Sequence, residues 1–124
     1  MRSASGRGTD RHRDCGIVTG SKQPISMEEA AARLRSADTL AIPLGPGQPS
    51  GFLHALGDRT DWEELTVFGA LLVDLYAVFT HPGVSYRSGF FGPAERFLAE
   101  SGARVEFIPA DFRRFTRIAE RFAP

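Results

Sequence analysis

Apolar and polar positions along this chain alternate between a helical period and short apolar runs. Ser26-Met-Glu-Glu29 sets a serine three residues before a glutamate, the capping-box signature of a helix start. Met27, Ala30, Ala31 and Leu34 then recur at i, i+3, i+4 and i+7, which predicts one apolar helical face. Residues 39–44 follow as a continuous apolar run, predicting a first strand in a parallel sheet covered on both sides. Residues 50–56 predict a second helix, with Phe52, Leu53 and Leu56 apolar and Gly57 at its C-terminal cap. Residues 65–72 predict a second strand, apolar on both faces. Residues 74–79 are ambiguous, since Leu75, Val78 and Phe79 would also line a short helix. His81-Pro-Gly83 is a turn before a short third strand at 84–87. A helix over 93–101 capped by Gly102, a fourth strand at 105–108, and a last helix from Asp111 to about Phe122 complete the pattern. Strands alternating with helices through short loops predict an α/β fold: a mostly parallel sheet flanked by helices, with right-handed crossovers.

Two glycine-rich connections stand out. Gly45-Pro-Gly-Gln-Pro49 leads from the first strand into a helix, and Ser88-Gly-Phe-Phe-Gly-Pro93 does the same after the third. In an open parallel sheet both lie at the carboxyl ends of the strands, where ligands bind. Backbone N–H groups in a first helical turn are unpaired and can receive an anion or oxyanion, and glycines let a ligand approach. Pro46 and Pro49 have no N–H, which leaves Gly45, Gly47 and Gln48 as the donors of the first turn. Pro49 itself suits a first helical position. The spacing is neither Gly-x-Gly-x-x-Gly nor a P-loop, so a tight turn without a ligand explains it equally well. Phe90 and Phe91 are either a lid over an apolar ligand or core beneath the loop.

Composition narrows the partners. The 124 residues suffice for one domain with a core, and 15 basic residues balance 15 acidic ones. The balance is uneven, because residues 1–22 carry five Lys/Arg against two Asp. Residues 1–24 are expected to be a disordered basic leader, with almost nothing to bury. Asp10 and Asp14 break its charge and no aromatic is interleaved, which argues against a nucleic-acid arm. A single cysteine, Cys15, excludes an internal disulfide and fits a reducing, cytoplasmic setting. No apolar run approaches the roughly 18 residues of a membrane span, and no secretory signal is visible.

Several residues then carry a resemblance. Ile42-Pro-Leu-Gly-Pro-Gly-Gln-Pro49, Leu53 with Ala55-Leu-Gly57, Tyr86-Arg-Ser-Gly-Phe-Phe-Gly-Pro-Ala-Glu-Arg96 and Gly102-Ala-Arg-Val-Glu-Phe-Ile-Pro109 resemble the N-terminal part of the acetyl-CoA hydrolase/transferase family. That family includes the acetate- and 4-hydroxybutyrate-type CoA-transferases. The resemblance covers roughly residues 26–124, and it implies that 25–124 are the first part of a two-domain, homo-oligomeric enzyme. It implies coenzyme A as substrate, with no tightly bound cofactor, and a carboxylate or water as acceptor. In such enzymes a glutamate of the second domain attacks the acyl-CoA thioester. None of the glutamates here matches that nucleophile: Glu28, Glu29, Glu95, Glu100 and Glu120 read as helix surface, Glu63 and Glu64 as loop, Glu106 as strand. No catalytic residue is therefore expected within the chain, and a C-terminal domain or complementary chain would supply it. The resemblance puts Gly45, Gly47 and Gln48 near the thioester, and Ser88, Gly89, Phe90 and Gly92 in the pocket wall.

The remaining candidates have plainer readings. His54 and His81 lack a Cys, Asp or second His at ligand spacing, so no metal site is expected. Asp74 reads as a helix cap or as a polar group at the rim. Arg113, Arg114, Arg117 and Arg121 lie opposite Phe112, Phe115, Ile118 and Phe122, as in a solvated helix face over an apolar one. Arg96 falls on the family's arginine, anchoring the third helix or supporting the site. A nucleotide-binding Rossmann domain is disfavoured, because the second strand ends without an acidic residue. A non-catalytic α/β module for assembly or small-ligand binding remains the alternative.

Overall fold

The computed structural model describes residues 23–109, 111 and 113–122. The leader 1–22 with Cys15, and Phe112, lie outside the described residues, as does the side chain of Phe122. The chain runs α1 (Met27–Ala32), β1 (Ala37–Ala41), a 3-10 turn (Gly45–Gly47), α2 (Ser50–Gly57), β2 (Glu64–Gly69), a 3-10 turn (Ala77–Thr80), β3 (Val84–Ser88), α3 (Pro93–Glu100), β4 (Arg104–Phe107) and α4 (Phe115–Phe122). The four strands form one all-parallel sheet in the order β1-β2-β3-β4. This is the α/β fold that the alternation of helical and apolar segments predicts.

Local chemistry sets the helix ends. Ser26 Oγ accepts the Glu29 N–H at 3.1 Å, so the capping box starts α1 where its sequence says. The far end of α1 is closed from a distance. The Arg59 guanidinium donates to the carbonyls of Ala31 at 2.7 Å and Leu34 at 2.8 Å. Asp61 grips the same guanidinium by two bonds, and Trp62 lies 4.0 Å beneath it. A cation at a helix C-terminus also opposes the dipole.

The two faces of the sheet differ. Leu65, Val67, Val84 and Tyr86 point into a core completed by Leu53 and Leu56 of α2, Val78 and Phe79, and Leu98 of α3. Neighbouring parallel strands in sequence order, joined by crossovers of one hand, carry their helices on one face. The opposite face is mostly polar: Thr66 bonds Ser85 at 3.3 Å and Arg87 pairs with Glu106 at 3.1 Å. Phe68 is its main apolar residue, and Phe115 of α4 covers it with ring centroids 5.1 Å apart. The expectation of apolar strands covered on both faces holds for β2 from Leu65 to Gly69, apart from the half-buried Thr66, and fails for β1. β1 is an edge strand with alternating exposure, and it ends at Ala41 rather than at 44. Pro43 has no N–H for the ladder, so pairing stops once Ile42 has reached the Phe68 carbonyl at 2.9 Å. The ambiguous 74–79 segment becomes the short 3-10 turn Ala77–Thr80, packed against Gly57, where a Cβ would sit 3.1 Å from Val78 N.

Among the described residues no helix is long and apolar enough to cross a membrane. Among the described residues the Tyr86 hydroxyl is buried without a hydrogen-bond partner of good geometry. Burial, opposed in part by the nearby Ser88 hydroxyl and helped by Glu95, holds its pKa far above the ordinary 10.0. Tyr86→Phe removes an unsatisfied hydroxyl and keeps the ring on Phe79, 4.6 Å away. Such a change is near-neutral or stabilising. Because the folded pKa is raised, Tyr86 contributes stability below the unfolded value that is lost as pH rises past about 10. Thermal melts are therefore expected to show Tyr86→Phe at least as stable as wild type at pH 7, with a shallower loss above pH 10. A clear destabilisation at pH 7 would show that the hydroxyl has a partner.

Candidate functional site

The carboxyl ends of the strands converge on three loops that are tied together from below. Glu95, in the first turn of α3, is completely buried. Its Oε1 accepts the Leu72 N–H at 2.6 Å and lies 3.3 Å from Ser88 Oγ. Its Oε2 accepts the Gly92 N–H at 3.1 Å. The Ser88 hydroxyl donates to the Phe90 carbonyl, so it also fixes the turn after β3. Gln48, buried as well, works from the other side. Its amide donates to the carbonyls of Ala70 at 3.3 Å and Leu71 at 3.1 Å, and its Oε1 accepts the Val73 N–H at 3.4 Å.

Between these two side chains sits Leu71, with φ +47°. That left-handed conformation is uncommon for a non-glycine residue and is typical of functional or strained sites. It drives the Leu71 side chain between the two glycine turns. A Cβ on Gly45 would meet its Cδ2 at 3.8 Å, and one on Gly92 would meet its Cδ1 at 2.8 Å. Gly45 is itself at φ +50°, so glycine is needed there for its backbone.

The three nominated N–H donors of the first turn are not available to a ligand. Gly45 donates to the Ala70 carbonyl at 3.4 Å, Gly47 to Leu44 at 3.2 Å, and Gln48 to Gly45 at 3.0 Å. The turn folds into a 3-10 loop that satisfies itself. Glu95 is likewise not the helix-surface residue that its spacing implies. Of the second turn, Ser88 and Gly92 serve the buried network, while Gly89 is buried against the Gly69 carbonyl and Phe90 is exposed.

Those two residues join the first motif in an apolar cleft of about 160 Å³. Its walls are Ile42, Pro43 and Leu44 from the loop after β1, Ala70 after β2, Gly89 and Phe90 after β3, and Phe115 of α4. Next to it a shallower cleft of about 490 Å³ shares Gly89 and Phe90 and adds Phe91, Phe107, Pro109, Asp111 and Arg114. Phe90 is 56% exposed and Phe91 is 37% exposed, so neither is core beneath the loop. The lining of the first cleft carries no ionisable side chain; it offers shape and an apolar wall.

Outside the clefts, Asp74 caps no helix: its Oδ1 takes the Leu75 N–H at 2.8 Å and its Oδ2 lies 3.2 Å from His54 Nε2. The fold thus brings an aspartate to His54 that sequence spacing hides. No group of three metal-ligating side chains occurs among the described residues. Arg96 neither anchors α3 nor supports the loops by a hydrogen bond among the described residues; it borders a third shallow cleft with Phe91 and Phe97.

No protein-family model and no curated protein matches the chain. Among solved structures it resembles the crystal structure of RipA from Yersinia pestis, with 23% identity and a TM-score of 0.67. The likeness covers 79% of this chain and 26% of RipA, so the chain spans about a quarter of that protein's length. At that identity the likeness supports the fold alone.

The buried network makes a direct prediction. Glu95→Gln turns one acceptor into a donor facing the N–H of Leu72 or Gly92, at a cost of about 1–3 kcal/mol. Gln48→Ala leaves the Ala70 and Leu71 carbonyls without their amide partner, at a similar cost. Denaturant titration of both variants is expected to show lowered midpoints with unchanged slopes. Wild-type midpoints would mean that the loops are held by packing instead.

Proposed function

We propose that this chain forms the N-terminal part of an acyl-CoA hydrolase or CoA-transferase, and that the apolar cleft holds the acyl end of the thioester. One observation carries the reading. The two motifs that bear the resemblance, 42–49 and 86–96, are far apart in sequence yet supply facing walls of one cleft: Ile42, Pro43 and Leu44 opposite Gly89 and Phe90. An apolar cavity of about 150 Å³ accommodates a benzene-sized molecule, so a cleft of this volume suits an acyl group of a few carbons.

The chain's own share in the chemistry is positioning. Glu95 is buried beneath the loops with both oxygens engaged, and it cannot reach a thioester. The donors of the first turn are spent on backbone carbonyls. The attacking carboxylate and most of the oxyanion stabilisation therefore come from polypeptide outside these 124 residues. That carboxylate adds to the thioester carbonyl and expels the CoA thiolate, leaving an acyl anhydride. The thiolate then attacks the enzyme carbonyl of the anhydride and releases the acyl carboxylate. The resulting enzyme thioester passes CoA to an acceptor carboxylate, or is hydrolysed by water. A second reading, a non-catalytic assembly module, is favoured by the exposed phenylalanines beside β4.

Two measurements on the purified chain test the proposal. Acetyl-CoA with a carboxylate acceptor is expected to give no turnover, since the nucleophile is absent; sustained turnover would overturn that assignment. Calorimetric titration with a short-chain acyl-CoA is expected to show binding. Phe90→Asp, at an exposed wall position, should weaken it by about tenfold or more, since burying a phenylalanine is worth about 1.5–3 kcal/mol. Absent binding, or equal binding by wild type and Phe90→Asp, would reject the cleft as the acyl site.

A further inference from the structure

The sheet has two open edges, and they are not alike. β1 carries one charged residue, Asp38, whose oxygens accept the N–H groups of Arg35 and Thr39. A lone charge of one sign has nothing to pair with in a second copy, and charges on an edge strand discourage pairing. β4 reads Arg104-Val-Glu-Phe107, with Arg104 and Glu106 alternating with Val105 and Phe107 across the two faces.

The backbone of β4 is also aimed outward at the right places. Ile108 donates to the Ser88 carbonyl, so alternate residues face β3 and the N–H and C=O of Val105 and Phe107 face away. The Val105 N–H, with no strand beside it, folds back to the Ala103 carbonyl at 2.9 Å. Beside this edge lies an apolar stripe. Phe97 on α3 is 55% exposed and Phe107 is 53% exposed. Phe91 bridges them, edge-on to Phe107 at 6.2 Å and sharing a cleft with Phe97. Contiguous exposed apolar surface of this kind marks interaction sites.

We infer that the β4 edge is a homodimer interface, in which a second copy of this chain adds its own β4 antiparallel to the first about a two-fold axis through Val105. In this register Arg104 stands opposite Glu106 of the second copy, and Glu106 opposite its Arg104, both on the polar face. Moving the axis one residue either way sets Glu106 against Glu106 or Arg104 against Arg104, which is destabilising. The charges thus favour this register over its two neighbours, and the Val105 N–H exchanges the Ala103 carbonyl for the Val105 carbonyl of the second copy, giving a reciprocal hydrogen-bonded pair. A two-fold axis normal to the sheet keeps the helix-covered faces on the same side. In this register Phe107 stands opposite Ala103 of the second copy, and Ala103 opposite its Phe107, as a self-complementary interface requires. The two sheets become one continuous sheet of twice the strands.

The inference does not depend on acyl-CoA binding and is tested by assembly alone. Sedimentation of the full chain is expected to show a concentration-dependent monomer–dimer equilibrium. Arg104→Glu puts like charges opposite at both symmetric positions and should weaken the dimer by about tenfold; Glu106→Arg should do the same. Mixed in equal amounts, the two variants restore opposite charges at every position, and a heterodimer is expected at near wild-type affinity. Circular dichroism confirms that each variant is folded. A wild-type chain that stays monomeric, assembles beyond two copies, or dimerises equally well with either charge reversed overturns the proposal. So does failure of the two folded variants to combine.

Discussion

The buried carboxyl group of Glu95 is the interaction on which the rim of this fold depends. It accepts the Leu72 N–H after β2 and the Gly92 N–H before α3, and its Oε1 lies 3.3 Å from the Ser88 hydroxyl at the end of β3. A buried acceptor with several directed donors fixes positions, because each unmade bond carries its full desolvation penalty. Gln48 repeats the device from the first turn, so the loops after β1 and β2 are joined as firmly as those after β2 and β3. Leu71 fills the space between them at the expense of a left-handed backbone.

The consequence for the surface is that polarity at the rim is turned inward. Donors that look like an oxyanion site in a linear reading are consumed within the protein. Pro43, Leu44 and Phe90 face solvent around one cleft, with the buried Ile42 and Gly89 in its wall, and Phe91 and Phe107 are exposed around the next. Such a rim supplies an apolar wall of fixed shape.

The asymmetry of the sheet has a similar origin. Its helix-covered face is continuous core, while the opposite face holds Thr66, Ser85, Arg87 and Glu106, and Phe68 is roofed by Phe115 of α4. The two edges differ in charge. Alternating signs on β4 make it self-complementary, whereas β1 has a single aspartate.

What the sequence determined by itself was local. The Ser26 box, the apolar runs, Gly102 and the two glycine turns set the order and approximate place of helices and strands, because capping and periodicity act within a few residues. The α/β class follows from their alternation, and the two turns follow as loops at the carboxyl ends of the strands. Only the tertiary structure decided which groups in those turns face outward. The burial of Glu95 and Gln48 and the aspartate beside His54 depend on contacts twenty or more residues apart, Glu95 with Leu72, Gln48 with Leu71 and His54 with Asp74. A carboxyl group one turn into an amphipathic helix looks the same in sequence whether it meets water or buried backbone donors. The fold chooses between them by what the neighbouring loops leave unpaired.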